Sequence, residues 1–451
     1  MSNQSARPLS AEDQAILALE SPVVAGHTCK VVLVDGDIDA DRLRSAIAAR
    51  LPGAPALSLR LGERNGAPWW IPDPDIDLAA HVVSAGDSAA FHDKTSLPEA
   101  VAGVFAQRLD RTRPLWRIDV ISGLPDGGTA LAWRIHHALA DGSTAMHLAE
   151  TVLWNEEPGP ATTALTATTA RAIRMASPAN LPSAARDTGH RLGGLLTAVR
   201  EAPRPWLRSP FEGRIDALRS VAFATAGLDD LRAAARAVDG ATVNDAVLTV
   251  VAGGLRRWLE AGQGRLGVVR VKVPVSLHGL PHDAAGDSDP GNRDSFFCLD
   301  LPLGSADPVT RLAAIRHATR VRKQDHDAQH LDAMMRHLAR TPRLARFAQH
   351  VLAHPRSFAL NVSNVPGPKR PVRVLGLPVS GVYSLAEIRE QHALRVAVVS
   401  LAGVLHFGFV ADPTLLPDVG RLAADVQADA AALTAAAALT AAERDRAFTG
   451  K

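Results

Sequence analysis

The 451 residues are 47% hydrophobic and 21% charged, as in an ordinary globular protein long enough for two domains with separate cores. Lys and Arg number 49 against 47 Asp and Glu, and the resulting net charge of +2 is too small to argue for a nucleic-acid partner. The 2 cysteines, Cys29 and Cys298, lie far apart, which gives no disulfide framework and fits a reducing cytoplasm.

The opening residues lack the apolar core of a secretory signal, and no uninterrupted apolar run of about twenty residues offers to span a bilayer. Over the first 155 residues strand-like and helix-like stretches alternate, at 29–34, 40–51, 97–109, 116–121 and 130–135, with a helix after Gly142. Such a mixture predicts helices packed on a sheet. Residues 156–215 shift to Pro, Thr, Ala, Ser and Arg, with a helical candidate at 188–200, as an interdomain linker does. The basic run at 200–208 suits a solvated face, an acidic lipid surface or an anionic cofactor.

A second mixed region follows. Strands are predicted at 219–225, 268–275, 296–301, 358–362, 372–375, 394–399 and 404–409, and helices at 228–238, 243–259 and 308–337. Within 243–259, Val243, Ala246, Val247, Val250, Val251, Leu255, Trp258 and Leu259 recur at steps of three and four, which marks one buried face. The Ala-rich stretch 424–442, broken by Asp425, Gln427 and Asp429, reads as a surface-packed terminal helix.

The densest chemistry is at 134–142, Arg-Ile-His-His-Ala-Leu-Ala-Asp-Gly. Two imidazoles close an apolar strand and an acidic turn follows. An imidazole titrates near neutrality, so a positioned one takes a proton from an alcohol or amine and passes it on, worth roughly 10²–10⁴ in rate. Neighbours on an extended segment point to opposite faces, so one of the two meets the reactants. The plainer alternative makes His136 a satisfied core histidine and Asp141-Gly142 a turn before a helix. A metal site is not expected, because no further acid or thiol clusters there at zinc-ligand spacing.

His136-His137-x-x-x-Asp141-Gly142 resembles the signature of the acyltransferase superfamily that includes chloramphenicol acetyltransferase and peptide-synthetase condensation domains. With Leu9-Ser10, Pro68-Trp69-Trp70, Arg113-Pro114-Leu115-Trp116, Asn244-Asp245 and Asn-Val-Ser-Asn-Val-Pro-Gly-Pro at 361–368, the chain is similar nearly end to end to the bacterial wax ester synthase/diacylglycerol acyltransferase family. That resemblance implies an α/β fold of two chloramphenicol-acetyltransferase-like domains, at 1–155 and 216–451, with mixed sheets covered by helices and a channel between them. It also implies an acyl-CoA-dependent O-acyltransferase that makes wax esters or triacylglycerol from a long-chain alcohol or diacylglycerol, with no bound cofactor and no metal. Such an enzyme is expected in the cytoplasm, meeting its apolar substrates at a membrane or lipid inclusion.

The resemblance also assigns roles. His137 becomes the general base, His136 an orienting neighbour, Asp141 a shape-keeping acid paired with an arginine (Arg293 or Arg134), and Gly142 the residue that permits the turn. Asn244 is either part of the site wall or a helix cap beside Asp245, which forms a near capping box with Thr242. Ser363 and Asn364 are oxyanion donors or turn formers.

Two departures bear on the acceptor: Ser400-Leu401-Ala402-Gly403 stands where many members have Ser-Tyr-x-Gly, and Ser384-Leu-Ala-Glu-Ile-Arg-Glu390 replaces a Pro-rich turn after Tyr383. The alternatives are a same-fold enzyme for a specialised-metabolite alcohol or amine, fed by a carrier-protein thioester, and a silent lipid-binding protein. The intact histidine motif argues against the silent form.

Overall fold

The structure, a computed structural model, describes residues 6–85, 96–156, 203–204, 209–263, 266–276, 294–325, 354 and 356–449. Arg293, most of the interdomain linker and the end of the helix expected at 308–337 lie outside the described residues.

The first half runs β1 (Arg7–Pro8), α1 (Ala11–Leu17), β2 (His27–Val34), α2 (Ala40–Arg50), β3 (Leu59–Arg64), β4 (Ala67–Pro72), α3 (Leu78–His81) and β5 (Val82–Ser84). It continues with α4 (Leu97–Phe105), β6 (Trp116–Ile121), β7 (Thr129–His136), α5 (Gly142–Val152) and β8 (Asn155–Glu156). The second half opens with β9 (Ser220–Gly227), α6 (Leu228–Ala235), α7 (Val243–Gln263), β10 (Arg270–Ser276), β11 (Asp294–Asp300) and α8 (Pro308–Gln324). It closes with β12 (Leu360–Val365), β13 (Val372–Val374), β14 (Leu377–Ala386), β15 (Leu394–Leu401), β16 (Val404–Ala411) and α9 (Val419–Thr449).

Two mixed sheets carry the fold. One has seven strands in the order β5-β6-β7-β2-β14-β13-β8, the other six in the order β11-β10-β12-β15-β16-β9. The chain order therefore misleads about the domains. β13 and β14 come from the second half, yet they sit in the first sheet, where β14 pairs antiparallel with β2 from Val379↔Val34 to Ala386↔Thr28. A boundary drawn at residues 155 and 216 follows the sequence and cuts across this sheet. β14 is also the strand that the sequence hides, because Pro378, Ser380 and Gly381 break its alternation and the ladder itself slips between Val379 and Gly381.

The first sheet is buried on both faces, as its unbroken apolar runs require. Val32, Val34, Leu131, Trp133 and Ile135 enter one core with Ala145, Ala149 and Val152 of α5. Cys29, Val31, Ala130, Ala132 and Leu385 enter the other, shared with β9, β16, α7 and α9. β14 lies so close over the second sheet that a Cβ at Gly408 of β16 would stand 2.2 Å from the Ser384 carbonyl oxygen.

The terminal helix differs from expectation. α9 has 31 residues, and Leu422, Val426 and Leu433 are core rather than surface. Buried Asp429 accepts from Arg311 at 2.6 Å and pairs with Arg257 at 3.3 Å. By length and composition alone residues 419–443 would cross a membrane.

Gly408→Ala drives a methyl group into a backbone carbonyl that has no room to move. We expect it to lower stability by about 1–3 kcal/mol, read as a shifted urea midpoint, by the usual cost of overpacking.

Candidate active site

β7 owes its form to an unbroken buried run, Ala130 to Ile135, and it ends at His136, in register with His27 of β2. The chain then leaves the sheet through a short turn and starts α5 at Gly142. This junction separates the two histidines.

His136 is 1% exposed. Its Nε2 lies 2.7 Å from Oε1 of Glu20, and its Nδ1 accepts the Ala138 backbone N–H at 3.1 Å. With both nitrogens held, the ring orients the turn and has no free position for a substrate proton. Burial would raise the Glu20 carboxyl, but His136 and Arg111, the latter at 3.0 Å, outweigh it and hold the group below its ordinary value. Gly26 lets this lock close: its φ is 75°, and a Cβ there would come within 2.6 Å of His136 Nε2.

His137 is the free one. Its backbone N–H donates to the Gly26 carbonyl at 3.0 Å, which fixes where the side chain emerges. The side chain is half-buried, and Nδ1 is enclosed without a partner among the described residues. Burial, and after it the positive charges of Arg395 and Arg389, push its pKa down to about 4. The imidazole is therefore neutral, as a base must be, throughout the physiological range.

Asp141 is the N-cap of α5, where its Oδ1 accepts from the Thr144 N–H at 2.6 Å and the Ser143 hydroxyl at 2.8 Å. Burial would raise its pKa, and these donors more than offset that and leave it lowered. Arg134 is not its partner, contrary to one expectation, because that guanidinium donates to Asp119 at 2.8 and 3.2 Å and to the Gln107 carbonyl. Among the described residues, buried Lys30 of β2, 1% exposed, interacts with the charge of Asp141, and its Nζ donates to the Ser384 hydroxyl at 2.7 Å. Burial pushes the Lys30 pKa down to about 8 against the opposing pull of Cys29 and Asp141. Gly142 also differs from expectation, since it is the first residue of a helix and has no left-handed φ. A Cβ there would only touch Val365 Cγ2 at 3.4 Å, so the glycine marks where the two halves meet.

Val365 orients the opposite wall. β12 and β15 run parallel with Asn361↔Arg395, Ser363↔Ala397 and Val365↔Val399 in register. Leu360 and Val362 enter the core, so strand alternation turns Asn361, Ser363 and Val365 toward the first sheet and Asn364 away from it. Of the two oxyanion candidates only Ser363 shares the face that meets Gly142. Asn244 is half-buried in the first turn of α7, and no hydrogen bond among the described residues joins it to the histidines. Its neighbour Asp245 completes the capping box, accepting from Thr242 N–H and hydroxyl at 2.8 and 2.7 Å, and also holds Thr319 at 2.6 Å.

Glu20, Lys30, Arg389 and Arg395 escape a reading of the sequence because each stands far along the chain from the histidines and in no motif. Burial pushes the Cys29 thiol up to about 12, which leaves it a packing residue rather than a nucleophile. Among the described residues no three His, Cys, Asp or Glu side chains gather to hold a metal ion.

Two mixed sheets that meet beside the histidine turn are the fold of the two-domain, chloramphenicol-acetyltransferase-like class. The chain belongs to the wax ester synthase/diacylglycerol acyltransferase family: the family's catalytic domain matches residues 9–247 and its C-terminal domain matches residues 290–434. It is 29% identical over 415 residues, 88% of each chain, to a Mycobacterium tuberculosis (strain CDC 1551 / Oshkosh) protein described as "Probable diacyglycerol O-acyltransferase". Its fold is similar to that of the wax ester synthase/diacylglycerol acyltransferase from Marinobacter aquaeolei VT8, with TM-score 0.68, 24% identity and coverage of 96% of this chain and 100% of that one. It is also similar to the starter condensation domain of rhizomide synthetase, solved with C8-CoA and Leu-SNAC, with TM-score 0.56, 16% identity and coverage of 96% and 94%.

Glu20→Ala removes the acceptor of a buried imidazole N–H. The expected cost is about 1–3 kcal/mol in stability, together with a fall in kcat that leaves KM nearly unchanged, to be read by urea unfolding and steady-state kinetics.

Proposed function

We propose that this acyltransferase moves a long acyl chain from CoA to the hydroxyl of a long-chain alcohol or diacylglycerol, with His137 as the general base. The observation that carries this reading is the contrast within the histidine pair: His136 lies 2.7 Å from Glu20 through Nε2 and accepts the Ala138 N–H through Nδ1, while His137 is neutral and its Nδ1 has no hydrogen-bond partner among the described residues.

With donor and acceptor both bound, the acceptor oxygen attacks the thioester carbonyl carbon as Nε2 of His137 takes the hydroxyl proton. The carbonyl π electrons move to oxygen, and Ser363, on the facing strand, is placed to donate to that oxyanion. Collapse of the tetrahedral adduct breaks the C–S bond, and the imidazolium returns its proton to the departing thiolate. Asp141 shapes the turn through its helix cap and takes no proton. The apolar substrates bring the enzyme to a lipid surface from the cytoplasmic side.

The test is thiol release from palmitoyl-CoA with hexadecanol or dipalmitoylglycerol. Wild type is expected to release thiol in an acceptor-dependent way and His137→Ala to lose roughly 10²–10⁴ of that rate; equal activity in the two proteins would remove His137 from the mechanism.

The pH profile provides an independent check. Because the folded pKa of His137 is lowered to about 4, the base keeps its lone pair well below the roughly 6.5 of a free imidazole. The acid limb of kcat/KM is therefore expected near pH 4, and a limb centred at 6.5 would contradict a buried base.

A further inference from the structure

The wall facing His137 carries more positive charge than an alcohol, a diacylglycerol or a transient oxyanion calls for. Arg395 stands beside Asn361 on the face of the second sheet that meets the first. A short chain of contacts ties it to the base: Arg395 Nη1 donates to the Glu387 carbonyl at 3.0 Å, the Ala25 N–H donates to the Glu387 carboxylate at 3.3 Å, and the next carbonyl, Gly26, holds the His137 N–H. Arg395 Nε and Asn361 Oδ1 are enclosed, and neither has a partner among the described residues. Arg389, two residues beyond Glu387, adds a second guanidinium close enough that the two cations disfavour each other's charge. Of the two acids of this segment, Glu387 is engaged by Arg219 at 2.8 Å and only partly offsets the charge of Arg395, and Glu390 is exposed.

An enclosed guanidinium N–H that has no acceptor among the described residues is costly, and an anion supplied by a ligand removes that cost. We propose that Arg395, with Arg389 beside it, binds a carboxylate or phosphate on the acceptor, so that the preferred acceptor is an alcohol whose hydroxyl lies a few bonds from that anion. The phosphates of acyl-CoA sit at the far end of the pantetheine arm from the thioester carbonyl, so an anion held beside the base belongs to the acceptor. Arginine suits the task because its planar fork meets two oxygens at once. This assignment rests on the general-base reading of His137 and names the substrate class for the same site.

Acceptors with and without an anionic group test it: 3-hydroxyhexadecanoate against its methyl ester, and 1-palmitoyl lysophosphatidate against 1-palmitoylglycerol. With palmitoyl-CoA as donor, wild type is expected to show the higher kcat/KM for the acidic member of at least one pair. Arg395→Gln and Arg389→Gln are each expected to lower that acid-to-neutral ratio about tenfold, the loss of one charge-assisted hydrogen bond. Arg395→Lys keeps most of the preference, and Arg389, being exposed, tolerates its substitution without loss of fold.

Calorimetric binding of the same compounds reads the site without turnover. Tighter binding of the acidic members, weakened in both Gln variants, supports the site even in a preparation that transfers no acyl group. Turnover of the neutral acceptors with no acid preference in rate or binding overturns the anion site and leaves the acyltransferase standing. Absence of turnover with every acceptor counts against the catalytic reading, and the binding data then decide the anion site by themselves. If the Gln variants lose activity with palmitoyl-CoA but not with the N-acetylcysteamine thioester, at an unchanged acid-to-neutral ratio, the arginines serve the donor's phosphates and the acceptor assignment fails.

Discussion

Everything at this site depends on one pairing, that of β14 with β2. β2 carries Lys30 and lies beside the strand that ends in His136, while β14 carries Ser384 and leads directly into Glu387 and Arg389. Inserting a strand from the second half into the first sheet makes the two halves a single covalent and hydrogen-bonded object. His137 and Arg395 therefore stand at one site although they sit in different halves of the chain. β14 also lies against the Gly408 backbone, so neither sheet can slide over the other without breaking packed contacts.

Electrostatics then divides the labour between two adjacent histidines. His136 is surrounded by an acid and a backbone donor, and His137 by arginines and protein bulk. The same residue type is held at both ring nitrogens in one position and is kept neutral by its surroundings in the next. The difference comes from the sheet, since a strand end must send consecutive side chains to opposite sides. Lys30 supplies the positive field beneath Asp141 from within an apolar strand, and its hydrogen bond to Ser384 makes that buried amine tolerable.

Much of this was legible before any coordinates. Val243 to Leu259 announces a buried helix by its spacing, and Asp141-Gly142 announces a turn by its place ahead of a helical pattern. What stayed hidden depends on non-local pairing. Nothing in Leu377–Ala386 says that it belongs beside β2, because its Pro, Ser and Gly residues dilute the period-two signal and its partner lies at the other end of the chain. Glu20, Lys30 and Arg395 are invisible for the same reason: a charge becomes part of a site only when a distant segment delivers it. Arg134 shows the converse, a residue next to the motif whose charge the neighbouring strand takes through Asp119.

The long terminal helix has a consequence beyond packing. Its residues 419–443 are apolar and long enough to compete for a lipid bilayer as well as for the protein core. Near the middle of that stretch stands Asp429, and an acidic side chain at the centre of a bilayer costs about 2.5–3.5 kcal/mol. In the folded protein the same carboxylate finds Arg311 and Arg257 waiting. One side chain thus biases the partition of the whole helix: lipid penalises the charge that the fold neutralises. Asp429 favours the packed position of the last helix over a place in lipid.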